Sequence, residues 1–446
     1  MSRTHVIAIG IMMELCYIGV YFVRDPLQDI VAFIVVNSLA FVLLAAALIR
    51  SRRVKGGGPE RESTVPLIVA FGILFRLTLV AHGPVASDDI YRYLWDGKVA
   101  AAGINPFSYP PSDTRLQALK TDTLPERINF PGMRTIYPPL SQGLFYLSTV
   151  IFGASIPGLK LLLVMCDIGS VGILIALLRA LGLPSEGVLA YAWSPLPVMY
   201  FGLDGHVDAL GILLLLLSVL LLLKNRRALA AIALGGAALA KLVPLVLAPL
   251  TMKRPRNLRD IWLPLISILV FIAGYLVFLE PTGGLIESLS IYGARWEFNG
   301  SMFALVYALA ESNEAAHAYC AALTLLWIAG VVLMDRPAVE KTFLIFLGMI
   351  FFAPVVHPWY LTWIAALLAL RWSTAVFVLL GLSNISNLVV YQYRLTVVWQ
   401  ESLPLLLLEY VPFYSLLAWE IIKGEFGRRG AIARWPAGGT VAPERG

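Results

Sequence analysis

Two adjacent carboxylates open the most chemically suggestive stretch of the chain, Ser87-Asp88-Asp89-Ile90-Tyr91-Arg92-Tyr93-Leu94-Trp95-Asp96-Gly97. It follows directly on an apolar run, and acidic side chains beside lipid are costly unless they have a use. On a helix, Asp89, Arg92 and Asp96 at i, i+3 and i+7 share one face, so Arg92 can pair with either acid. The doublet stands beside two tyrosines and a tryptophan, and Gly103-Ile104-Asn105-Pro106-Phe107 follows as a turn. That company favours a functional carboxylate over a plain salt-bridge face. A second signal is Lys241, near the middle of the apolar run Ala-Leu-Ala-Lys-Leu-Val-Pro. A lysine there must snorkel, pair or face a cavity, and a phosphate is one partner that a cavity can hold.

Further polar groups recur at the ends of later apolar runs: Asp204-Gly205-His206-Val207-Asp208 and His357-Pro358-Trp359-Tyr360. Their separate positions give no recognised zinc-ligand spacing, so neither metal nor cofactor is expected. Cys16, Cys166 and Cys320 all lie in apolar runs without CxxC spacing, and no disulfide is expected.

The elements that must position these groups are membrane helices. The 446 residues are 59% hydrophobic and only 14% charged, with a mean hydropathy of +0.79. Soluble domains carry about a quarter of their residues as charges, so a soluble enzyme is excluded. Apolar runs near the ~20-residue bilayer length recur from Val6 almost to the C-terminus, which predicts an all-α, polytopic integral membrane protein forming a single domain over 1–446. The net charge of +6 is spread in short basic clusters between these runs, as topology requires, and nucleic acid is not an expected partner. The N-terminus reads as an uncleaved first helix.

The basic clusters from Arg50 to Arg61, Lys224 to Arg227, Lys253 to Arg259 and the tail 423–446 are expected in the cytoplasm. Crossings are expected at about 6–23, 30–49, 65–82, 160–179, 188–203, 207–223, 261–279, 318–334, 341–356, 359–370, 373–390 and 403–422. This puts a large loop, 83–135, on the outer face, together with 280–300; in the loop six Lys/Arg balance six Asp/Glu. Two stretches break the parity: 136–153, which opens with Pro138-Pro139, and 228–250, with a basic cluster on each side. Both are read as re-entrant or broken helices around a site.

The chain resembles the polytopic glycosyltransferases of the GT-C superfamily, especially the bacterial polyprenyl-phosphate-mannose-dependent α-mannosyltransferases. The resemblance covers most of the chain and rests on an ordered series of motifs: SDDIYRYLWDG with GINPF, TIYPPL at Thr135–Leu140, WSPLPVMYFGLDGHVDAL at Trp193–Leu210, ALAKLVPLVLAP at Ala238–Pro249, FNGSMF at Phe298–Phe303 and APVVHPWYLTW at Ala353–Trp363. It implies an integral membrane transferase moving a sugar, mannose above all, from a polyprenyl phosphate to a glycan or glycolipid acceptor with inversion. The family's Asp-x-Tyr maps the catalytic base onto Asp89, with Asp88 assisting.

For binding donor or acceptor the candidates are the cations Lys241, Arg134 and Arg295, the imidazoles of His206 and His357, and Tyr91, Arg92, Asp96, Asn105, Tyr137, Asp208, Trp359 and Tyr360. The active site would face outward from the cell membrane, with membrane lipids around it. Here the acids are contiguous rather than spaced as DxD, and more crossings precede the loop than in many relatives, so acceptor identity does not carry over. The other class open to this composition is a transporter, or a flippase or polymerase of lipid-linked glycans. A transporter would keep its key charges near the midplane and show related halves, whereas these acids lie at a membrane face.

Overall fold

The computed structural model describes residues 1–23, 26–53, 63–253, 258–278, 288, 290, 293, 296–424 and 426. Among the described residues the regular elements are all helical, apart from isolated bridges of Val355 with Phe298 and Asn299. Six helices of 20 to 25 residues are apolar enough to cross a bilayer, and six shorter apolar helices accompany them. Many of their outward side chains are large and apolar, with Phe22 76% and Leu326 70% exposed. Water would penalise such a surface and lipid does not. The chain is therefore an all-α polytopic membrane protein.

Hydrogen bonds between elements fix the direction of each. Helix α1 (Arg3–Gly19) and helix α3 (Val65–Val80) run side by side in the same sense, because Arg3 bonds Ser63 at one end and the Tyr21 hydroxyl donates to the Thr78 carbonyl at the other. The helix α2 (Pro26–Arg53) returns between them in sequence. The far end of α3 opens into the loop 83–135 and is called here the site end. Helix α4 (Asp89–Ala101) lies in that loop, and α5 (Pro139–Phe152) follows it. At Gly97 a Cβ would run into the Phe145 carbonyl, so the glycine lets these two helices touch along their backbones.

The next helix, α6 (Ile156–Ala180), also starts at the site end, where Lys160 Nζ donates to the His82 carbonyl just beyond α3 at 2.6 Å. The turn between α5 and α6 thus lies at the site end.

The stretch 188–203 runs the length of α3, but not as the single helix its apolarity suggests. Its partners climb α3: Glu186 accepts from Thr64, the Trp193 indole donates to the Ile68 carbonyl, and Asp204 accepts from the backbone N–H groups of Val85 and Ala86. On the way it breaks into a 3₁₀ turn, two short α turns and a π turn at Val198–Leu203. Pro195 and Pro197 cause the break, since neither can donate to a helical ladder. The freed Ala192 carbonyl accepts from Arg76 Nη1 at 2.7 Å, and Arg76 Nε pairs with Asp167 at 2.5 Å. Every residue from Val188 to Leu203 is buried in protein, a setting in which irregular backbone is tolerated at membrane depth.

Helix α7 (Asp208–Leu223) descends, α8 (Arg227–Ala240) rises beside it, and a nine-residue 3₁₀ segment, Val243–Thr251, descends again. Arg227 Nη1 donates to the carbonyls of Thr251 and Met252, so both ends of this hairpin meet at the basic end, and its tip, Lys241, reaches the start of α7. The stretch 228–250 is thus a hairpin that brings both of its ends to the basic end.

The remaining described helices are α9 (Trp262–Tyr275), the short α10 (Ser301–Ala310), α11 (Asn313–Leu333), α12 (Ala338–Phe352), α13 (Thr362–Leu368) after a 3₁₀ turn, α14 (Thr374–Leu382) continued by α15 (Asn387–Thr396), and α16 (Leu403–Ile422). Glu420 near the end of α16 caps the start of α14 through Ser373 and Thr374.

Candidate functional site

At the site end α4 carries its carboxylates into the protein rather than into solvent. Asp89 is the first residue of the helix, where the helix dipole favours an anion. One turn on, Arg92 Nε pairs with Asp96 at 2.9 Å, and Arg92 Nη1 donates to the Met133 carbonyl. Asp96 also accepts from Gln142 Nε2 at 3.0 Å, and Gln142 reaches Thr135 as well. Of the two pairings open to Arg92, the structure adopts the one with Asp96. This knot braces α4 against α5 and the loop.

Tyr91 accepts from Arg127 at 2.8 Å. Asn105 holds the turn to Phe107 through its side-chain oxygen and reaches the Phe278 carbonyl beyond α9 at 3.4 Å. Tyr91, Arg92, Asp96 and Asn105 thus hold the loop in place around Asp89. Arg134 is half-buried in the same loop, and Arg295 lies outside the described residues.

Around Asp89 the other candidates converge. Its side chain keeps 31% of its surface accessible, and Oδ2 lies 3.8 Å from Nδ1 of the fully buried His206. Burial pushes the Asp89 carboxyl up to about 6; the positive charge of Lys241 and a hydrogen bond with Tyr137 oppose the shift, and the charges of Asp88 and Asp208 add to it. Lys241 Nζ pairs with buried Asp208 at 2.8 Å and sits 4.6 Å over the ring of Tyr360, while Asp208 also accepts from the Trp363 indole at 2.7 Å. Asp88 pairs with Arg394 at 2.7 Å.

The DGHVD turn is seated by Gly205, whose φ of +73° and tight approach to Ile90 of α4 leave no room for a side chain. His206 stacks on Trp359 at 4.3 Å, and the opposite face of Trp359 carries His357 at 4.1 Å. With both faces covered by imidazoles, Trp359 has none left for a sugar ring. Both His206 nitrogens are buried without a hydrogen-bond partner among the described residues. Burial and the Lys241 charge press the pKa of His206 well down, and that of His357 to about 3, so both rings are neutral near pH 7.

One enclosure therefore gathers Asp88, Asp89, Tyr137, His206, Asp208, Lys241, His357, Trp359 and Tyr360 from five stretches far apart in sequence. It offers an accessible carboxylate poised to exchange a proton, a fixed cation and neutral imidazoles. Three members were not singled out from sequence: Tyr93, stacked on Phe145 and edge-on to Tyr137; Trp363; and Arg394. Arg394 carried a signal, a cation at the end of an apolar run, but nothing in the sequence placed it near Asp88.

The family model described as Alpha-(1->6)-mannopyranosyltransferase, N-terminal domain, matches residues 16–253, more than half of the chain. The chain belongs to this family. A search of curated proteins finds no match. Together with the apolar helices, the family makes the protein a membrane-embedded mannosyltransferase. The matched part holds Asp88, Asp89, Tyr137, His206, Asp208 and Lys241, whereas His357, Trp359, Tyr360 and Arg394 come from the part beyond it.

Proposed function

We propose that this GT-C-like mannosyltransferase moves one mannose from polyprenyl-phosphate mannose to a hydroxyl of a glycan or glycolipid, with inversion, on the outer face of the cell membrane. The observation that carries the reading is Asp89: a partly accessible carboxylate, raised to about 6, within reach of one fixed cation and framed by uncharged imidazoles. A sugar hydroxyl is a weak nucleophile, and a base whose pKa lies near the working pH takes its proton most effectively, typically for a gain of about 10²–10⁴.

The acceptor oxygen attacks C1 of the mannose as Asp89 removes its proton, the C1–O bond to phosphate breaks, and the polyprenyl phosphate leaves with that electron pair. Direct displacement by a single nucleophile turns a β-linked donor into an α-mannoside. In this reading Lys241 holds the phosphate and stabilises its growing charge; its Nζ pairs with Asp208 while its side chain remains 20% accessible, which supports the role. His206 can donate one N–H without carrying charge. Asp88, fixed by Arg394, orients the entry to the site. The cytoplasmic ends would then be the basic ones, including the tail, most of which lies outside the described residues.

The test supplies purified protein in liposomes with radiolabelled polyprenyl-phosphate mannose or with nucleotide-linked mannose, plus an acceptor. Product from the lipid donor is expected. Product from the nucleotide donor alone would overturn the lipid-donor reading.

A further inference from the structure

Beyond the enclosure, a buried acid inside a membrane helix has no part in the chemistry described so far. Glu409 of α16 is 1% exposed, and a carboxyl group at such a place is costly unless it is used. Both of its oxygens accept from Asn299 Nδ2 at 3.1 Å. The backbone groups of Asn299 are tied to the same stretch of chain: its N–H donates to Glu401 at 2.8 Å and its carbonyl accepts from the Tyr410 hydroxyl at 2.9 Å. Asn299 holds a φ of +56°, a left-handed conformation that asparagine tolerates better than most residues.

The residue before it opens a column of rings. Phe298 stacks on His357 at 4.4 Å, His357 on Trp359 at 4.1 Å, and Trp359 on His206 at 4.3 Å. Backbone bonds lash the first two members together: Phe298 N–H donates to the Pro354 carbonyl, and Val356 N–H donates to that of Phe298. The column ends at the imidazole beside Asp89. Among the described residues no hydrogen bond fixes the His206 ring, so its orientation rests on the rings packed against it, Trp359 above all.

We infer that Asn299 and Glu409 form a positioning latch, which sets the place of His206 at Asp89 through the column Phe298, His357, Trp359. The inference rests on the reading of the Asp89 enclosure as the reaction site. Neither latch residue touches the enclosure; both act through the rings.

The experiment measures kcat and KM for polyprenyl-phosphate mannose with full-length protein in nanodiscs, for Glu409→Ala, Glu409→Gln, His206→Ala and the double variant Glu409→Ala/His206→Ala. Glu409→Ala is expected to lower kcat about tenfold or more with KM within about twofold, since misplacing a group at a reacting centre costs rate before binding. Glu409→Gln keeps an acceptor for Asn299 and should retain activity within about threefold. In the His206→Ala background Glu409→Ala should cost less than about twofold, because residues acting as a unit are not additive. Phe298→Leu cuts the column without touching the latch and should reproduce the loss, which keeps the test decisive if Glu409→Ala does not fold. Multiplicative effects of Glu409→Ala and His206→Ala, or a Phe298→Leu enzyme with normal kcat, would overturn the latch. An active Asp89→Asn enzyme would instead overturn the assignment of the site, whatever the coupling between Glu409 and His206.

Discussion

Lowering the pH from 7 to 5 should cut kcat/KM about tenfold, and the reason lies in the surroundings of Asp89. A base must be ionised to accept a proton, and burial raises this carboxyl from 3.8 to about 6. With that value about 90% of the enzyme holds an ionised Asp89 at pH 7 and about 9% at pH 5. An unshifted carboxyl would be about 94% ionised at pH 5, and the rate would hardly move. The neighbouring imidazoles do not confuse the profile, because His357 titrates near 3 and His206 is pressed well below its ordinary value. Nor does the donor, a phosphodiester that keeps its single charge throughout.

The assay is the initial rate of mannose transfer at subsaturating lipid donor in nanodiscs from pH 4.5 to 8. Thermal unfolding is followed at each pH to separate titration from loss of fold. A profile flat down to pH 5 would refute the argument that burial tunes this group. The same shift acts on stability with a defined sign: because the folded pKa lies above the unfolded one, the contribution of Asp89 is most favourable at low pH and is lost as pH rises through about 6. Asp89→Asn should therefore leave the melting temperature at pH 7.5 unchanged or higher.

Lys241→Met should raise KM for the lipid donor and move the acid limb of the pH profile above 6, because the charge that opposes the burial of Asp89 is gone. It also strands buried Asp208, a loss of up to about 3–5 kcal/mol for a broken buried pair, so adding Asp208→Asn should restore the melting temperature but not the donor affinity; a normal KM in the double variant would remove Lys241 from phosphate binding. For topology, a cysteine at the exposed Ser112 in a cysteine-free background should react with an impermeant maleimide in intact cells, and reaction only after permeabilisation would put the site on the cytoplasmic face.

What could be read from the sequence, and what could not, follows from the range of the forces involved. Apolar length acts locally, so the apolar helices and the two anomalous stretches, 136–153 and 228–250, were legible before any contact was known. The break of 188–203 was less so: Pro195 and Pro197 were visible, but whether the freed Ala192 carbonyl would find a donor depended on Arg76, more than a hundred residues earlier. The same limit applies at the site. The helical spacing of Asp89, Arg92 and Asp96 allowed two pairings for Arg92, and the choice of Asp96 was made by Gln142 and the Met133 carbonyl, which hold that side of the knot. The Asp208 partner of Lys241, the Arg394 partner of Asp88 and the double-sided covering of Trp359 all arise from long-range packing, which no periodicity encodes.

The role of Asp89 is tested most directly by comparing Asp89→Asn with Asp88→Asn, each purified, shown to be folded by its melting temperature, and assayed for mannose transfer from the lipid donor at pH 7. Asp89→Asn should lose about 10²-fold or more in kcat, the range of a missing general base, while Asp88→Asn, whose side chain is tied to Arg394, should lose less. Near-normal turnover by Asp89→Asn, with Asp88→Asn inactive, would contradict the assignment and move the base to Asp88.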